Sequence, residues 1–184
     1  MREHRRAFTL IELMVVISII SLLTSIVLAS VTAARKKARD GQRLIDMRNI
    51  LVALETYHDT YDAYPNPNTA GGDNDCSDYD IGPFGSPSDP FIPQLATENL
   101  LKAPVDPTPT ISNCGDTGTT KFGYFYAWYS AATCPAWNKN FFILGIRRLE
   151  SSANPSPSSP GWRCPSPGGR NWTAEFYWVT GGIE

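Results

Sequence analysis

Nineteen residues, Leu13 to Val31, pass without a charge, interrupted only by small hydroxyls at Ser18, Ser21, Thr24, Ser25 and Ser30. As a helix this run reaches about 28 Å, close to the thickness of a bilayer's hydrocarbon core, so it reads as a single membrane span. Glu12 stands at its entrance. A bare carboxylate at bilayer depth costs a few kcal/mol, so it needs a partner or a path to the headgroups. A cleavable secretory signal also begins with basic residues and an apolar core, and residues 27–33, VLASVTA, could supply its cutting site. The length of the run and the presence of Glu12 count against it.

The charges around the span do not orient it. Arg2, Arg5 and Arg6 precede it, while Arg35, Lys36, Lys37, Arg39 and Arg43 follow, so positive-inside counting alone would place the chain backwards. The cysteines point the other way. Cys76, Cys114, Cys134 and Cys164 all lie beyond the span in a region rich in Gly, Pro, Asp and aromatics, as in a small domain stapled in an oxidising compartment. The C-terminal part is therefore expected outside. Four cysteines allow three pairings, and proximity favours Cys76 with Cys114 and Cys134 with Cys164. A net charge of −2 over 184 residues gives no ground for an obligatory nucleic-acid partner.

Beyond the span Leu44, Met47, Leu51, Leu54, His58 and Tyr61 recur at three- and four-residue spacings, with Ile50 and Tyr57 beside them. Arg48, Glu55, Asp59 and Asp62 fall opposite. No proline lies between Phe8 and Tyr64, so one continuous helix is expected, stopped by Pro65. Residues 66–90 are turn-rich, and residues 91–104 read as a short helical piece. Strands are expected at KFGYFYAWYSA (121–131), FFILGIRRLE (141–150) and TAEFYWVT (173–180), with the Ser/Pro stretch 151–161 as a solvated loop. Tyr126, Trp128, Phe142 and Trp178 are expected in the sheet's core rather than as an adhesive surface. The fold class is α+β: a long N-terminal helix, membrane half then amphipathic half, packed on a small antiparallel sheet.

Residues 5–23, RRA followed by FTLIELMVVISIISLL, resemble the class III signal of type IV pilins and of type II secretion pseudopilins: a basic leader, a small residue, Phe, and Glu four residues later. ALETYHDTYDAYP (53–65) also resembles the end of the first helix in the pseudopilin-like branch. The resemblance implies four segments: a cleaved leader at 1–7, a transmembrane and polymerisation helix at 8–34, the amphipathic half of that helix at 35–64, and an extracytoplasmic loop-and-sheet domain at 65–184. A prepilin peptidase would cut between Ala7 and Phe8 and methylate the new amine of Phe8. The family most often has Gly where this chain has Ala7, and many members carry a mid-span proline that this chain lacks. Glu12 would pair with the Phe8 ammonium, within one helix or across to a neighbouring subunit, fixing axial register on assembly.

The implied protein is a structural subunit, not an enzyme. It would be held in the lipid bilayer of the cell membrane and drawn by inner-membrane assembly machinery into an extracellular or periplasmic filament of like or related subunits. A type II secretion pseudopilin and a membrane-anchored binding module that never polymerises are the alternatives. Small residues at Ser18, Ser21, Ser25 and Ala29 would let neighbouring helices approach, or are ordinary in a span. Asp73, Asp75, Asp78 and Asp80 offer hard oxygen ligands for calcium, though without the glycine and terminal Glu of a loop-type site. Residues 171–173, NWT, form a glycosylation sequon. No arrangement of Ser, His and Asp or of Cys and His is available except through His58, since His4 lies in the leader.

Overall fold

A computed structural model describes residues 9–67, 79–80, 91–102, 104–110, 121–152 and 154–184. The chain divides into two units, Met1–Ala38 and Arg39–Glu184. Helix α1, Leu10–Tyr61, contributes to both. The other elements belong to the second unit: strand β1 (Tyr79–Asp80), helix α2 (Pro93–Thr97), and strands β2 (Tyr124–Tyr129), β3 (Phe141–Ile146) and β4 (Trp178–Ile183). The strands form one antiparallel sheet in the order β1-β2-β3-β4, so the expected α+β layout is present.

In the second unit α1 buries Met47, Ile50, Ala53 and Leu54, the stripe that three- and four-residue spacing selects. They pack with Tyr124, Tyr126, Phe142, Leu144, Ile146 and Trp178, the even-numbered positions of β2, β3 and β4 that share one face of the sheet. Leu44, Leu51, Tyr57 and Trp128 lie partly buried around this core. Each fully buried aliphatic here contributes about 1.5–3 kcal/mol at most. Arg48, Glu55, Asp59 and Asp62 are exposed, as the periodicity requires, but Tyr61 is exposed too. The helix also ends at Tyr61, short of the expected Tyr64. Asp62 takes a left-handed conformation (φ 54°) and its N–H donates to the His58 carbonyl at 2.8 Å, which closes the last turn before Pro65 is reached.

The opposite face of the sheet is covered as well. Phe125, Ala127, Phe141, Ile143 and Val179 pack with Trp172, Phe176 and the Cys134–Cys164 disulfide. All six residues of β3 are consequently buried. Gly145 makes room for this cover, because a Cβ there would stand 2.6 Å from the Phe176 ring. Residues 173–177, expected in the third strand, instead run from a 3-10 turn at Trp172–Ala174 into the cover, and β4 begins at Trp178. The Ser/Pro stretch departs from the solvated-loop expectation in part. The Val179 N–H donates to Ser159 Oγ at 3.0 Å, the Gly161 N–H donates to the Val179 carbonyl at 3.1 Å, and Ser156 is buried, so the stretch caps the edge of β4. Within residues 91–104 helix is confined to α2. The disulfide spans 30 residues and should contribute about 3.5 kcal/mol through the unfolded state.

Arg39 and Arg43 are paired rather than free flanking charges. Both belong to a network in the second unit. Arg43, fully buried, donates from Nε and Nη2 to the two oxygens of Asp106, each at 2.8 Å, and from Nη1 to Asp40 at 2.8 Å and Glu150 at 3.1 Å. Nη2 also donates to Thr108 Oγ1 at 2.8 Å. Asp40 in turn accepts from the backbone N–H groups of Glu150 and Ser151 at 2.7–3.0 Å. Arg39 closes a bidentate pair with Glu150. Each buried charge is thereby matched and hydrogen-bonded, the condition under which burial is tolerated. Burial alone would lower the Arg43 pKa, but Asp106, Glu150 and Asp40 outweigh it and hold the pKa above its ordinary value. The hydrogen bonds from Arg39, followed by those from Arg43, hold Glu150 down at about 2 despite its burial.

Replacing Arg43 with Ala would strand Asp106 and Asp40 without a counter-charge, so unfolding of the second unit should lose about 3–5 kcal/mol by chemical denaturation of the purified chain. A loss below 1 kcal/mol would show that the carboxylates find other partners. Because its folded pKa is depressed, Glu150 contributes stability that is complete above about pH 4.5 and fades as pH falls toward 2. The melting temperature should decline over that window, and Glu150→Gln should flatten the decline. An unchanged acid slope in the variant would remove Glu150 as its source.

Candidate functional site

The N-terminal residues of α1 carry the features that bear on function. Ala7 and Phe8, expected to flank the cut, lie outside the described residues. Thr9 and Glu12 form a reciprocal cap. The Thr9 N–H donates to Glu12 Oε2 at 2.9 Å, the Glu12 N–H donates to Thr9 Oγ1 at 3.3 Å, and the Thr9 hydroxyl donates to Oε2 at 2.8 Å. This is a capping box, Thr at the cap and Glu three residues on, and it satisfies backbone donors that a helix start leaves open. The four letters TLIE spell it in the sequence. Glu12 thus has a partner within its own turn of helix.

From Leu10 to Leu28 the apolar side chains are exposed on every side of α1, with no stripe held back for a protein core. This part of α1 contains a stretch apolar and long enough to cross a membrane. The hydroxyls within it need no outside partner: Ser18, Ser21 and Thr24 donate to carbonyls four residues back at 2.7–2.8 Å, and Ser25 and Ser30 to carbonyls three residues back at 2.8 Å. Every polar group in the run is satisfied internally, as lipid demands. Ser25, Leu28, Ala29, Thr32, Ala33 and Lys36 line a shallow groove along it.

Of the other expected site residues, Cys134 and Cys164 are joined with Cα atoms 5.8 Å apart, one of the pairs that proximity favours. Cys76, Cys114, Asp73, Asp75 and Asp78 lie outside the described residues, and Asp80 is described only in its backbone, in β1. Among the described residues no group of three or more His, Cys, Asp or Glu side chains is placed to hold a metal ion. His58 lies against Tyr64 with ring centroids 4.5 Å apart and the rings tilted by 35°, half-buried at the end of α1. Asn171 of the sequon is exposed, while Thr173 Oγ1 accepts from the Trp162 N–H at 2.8 Å.

No curated protein and no solved structure matches the chain. Its N-terminal segment, however, matches the prokaryotic N-terminal methylation motif over residues 2–28, covering the basic leader, Glu12 and most of the exposed apolar run. The chain therefore carries, at residues 2–28, the class III prepilin signal of type IV pilins and pseudopilins.

Proposed function

We propose that this protein is a structural subunit of a type IV pilus-like filament. The observation that supports the reading most directly is the methylation motif, set on a helix whose apolar side chains are exposed all round. In this reading a prepilin peptidase cuts between Ala7 and Phe8 and methylates Phe8, and the apolar run of α1 anchors the mature chain in the membrane. The second unit stands on the far side, where the Cys134–Cys164 disulfide suits an oxidising compartment. Assembly machinery then extracts the helix. An apolar surface of this extent cannot stay in water and is buried against the same helix of other subunits, an open-ended heterologous packing that grows a fibre.

Glu12 has two roles to divide. Its carboxylate closes the cap on Thr9, and its charge is available to the Phe8 ammonium created by cleavage, whose stranding in an apolar filament core would cost on the order of 3 kcal/mol.

Intact-mass measurement on protein from the native cell should find a chain that starts at Phe8 and carries one methyl group on its amine. A start near Ala29 or Ser30 would mean ordinary secretion and end the filament reading. Glu12→Gln separates the roles of Glu12, because Gln also closes a capping box but carries no charge. The variant should insert and be cleaved normally, yet its yield in sheared filaments should drop at least about a hundredfold, the equivalent of that ~3 kcal/mol. Normal filaments from Glu12→Gln would leave only the cap as the residue's function.

A further inference from the structure

With Arg39 and Arg43 committed to Glu150, Asp106 and Asp40, the cations left after the apolar run are Arg35, Lys36 and Lys37. All three are exposed and have no partner among the described residues. They are consecutive on α1. Successive residues turn by 100° about a helix, so the three side chains sweep about 200° of its circumference and form a collar rather than a stripe. The collar's position is set by the run before it. Leu13 to Ala34 is uncharged, and those 22 residues rise about 33 Å, the hydrocarbon thickness of a bilayer plus a few ångströms. With Glu12 at one polar boundary, Arg35 to Lys37 fall at the other, at the depth of lipid phosphates.

We propose that Arg35, Lys36 and Lys37 bind the phosphate groups of anionic phospholipids in the leaflet facing the second unit. This inference rests on the reading that α1 crosses a membrane. Two features favour headgroups over free phosphate as the source. The side chains point outward around a cylinder and converge on no single pocket, and the apolar residues immediately before them would hold the acyl chains of the same lipids. Long basic side chains can extend along the helix to reach that plane, where an anionic surface attracts them. The collar keeps the outer end of the span in register with the membrane until extraction breaks those contacts.

The test uses the mature chain, which begins at Phe8 and lacks Arg2, Arg5 and Arg6, reconstituted in phosphatidylcholine vesicles containing spin-labelled phosphatidylglycerol or spin-labelled phosphatidylcholine as the probe. The wild-type protein should float with the vesicles and enrich phosphatidylglycerol in its motionally restricted lipid shell. The triple variant Arg35→Gln, Lys36→Gln, Lys37→Gln should float equally well, unfold at the same temperature, and lose that enrichment by at least about fivefold (~1 kcal/mol). Arg35→Lys should retain it. Equal enrichment in the wild type and the triple variant would overturn the collar while leaving the membrane reading intact. Displacement by inorganic phosphate, beyond that caused by chloride at the same ionic strength, would overturn the headgroup assignment. A wild-type chain that fails to float would overturn both the collar and the membrane span.

Discussion

Burial along α1 begins at Arg39 and Asp40, and the Arg43 guanidinium is what makes burial possible there. An arginine that enters a protein interior must bring counter-charges with it, and Arg43 gathers them from its own helix at Asp40 and from distant segments at Asp106 and Glu150. Those bonds draw the 104–110 and 147–151 segments onto the helix, and the next turns of α1, Met47 to Leu54, can then close over the sheet as ordinary apolar core. Earlier residues of the same helix face no such demand. Their side chains are apolar all round and their hydroxyls are satisfied by the helix itself, which is the chemistry of a lipid-facing segment. One uninterrupted helix therefore follows two sets of rules, and its buried part opens with charges that are paired.

At the other end of α1 the Glu184 carboxylate does related work. Glu184 accepts from the Tyr64 N–H and Trp128 Nε1 at 3.2 Å through one oxygen, and from Asn140 Nδ2 at 2.7 Å through the other. The chain leaving the helix, β2, and the turn before β3 are thereby tied to the residue that follows β4. Tyr64 is held in this corner by Phe142 and His58, and burial followed by the nearby Glu55 carboxylate pushes its phenol up to about 12. Between these polar fastenings both faces of the sheet are covered, with α1 on one side and the disulfide-linked cover on the other.

The parts of this architecture that the sequence makes legible are those encoded by local period. Met47, Ile50 and Leu54 repeat at helical spacing, and the aromatic and β-branched density of 124–129 and 141–146 marks two strands. Density misleads at 173–177, because Trp172 and Phe176 bury against a sheet face as cover, and a covering aromatic is spelled like a strand aromatic. The charge network is not legible at all. Arg43 meets Asp106 across 63 residues and Glu150 across 107, and a charge whose partner is that remote reads as solvated surface. For the candidate site the motif is legible in full, since a prepilin signal is a linear pattern, and so is the capping box, which lies inside that pattern.

The central claim is that this chain leaves the membrane as part of a polymer, carried by the same helix that anchors it. Shearing the surface of the native cell, imaging the released material by electron microscopy and identifying its subunits by mass spectrometry test that claim most directly. The account predicts thin filaments that contain this chain with its Cys134–Cys164 bridge intact. Finding the chain only in the membrane fraction, with none in any sheared filament, would contradict it.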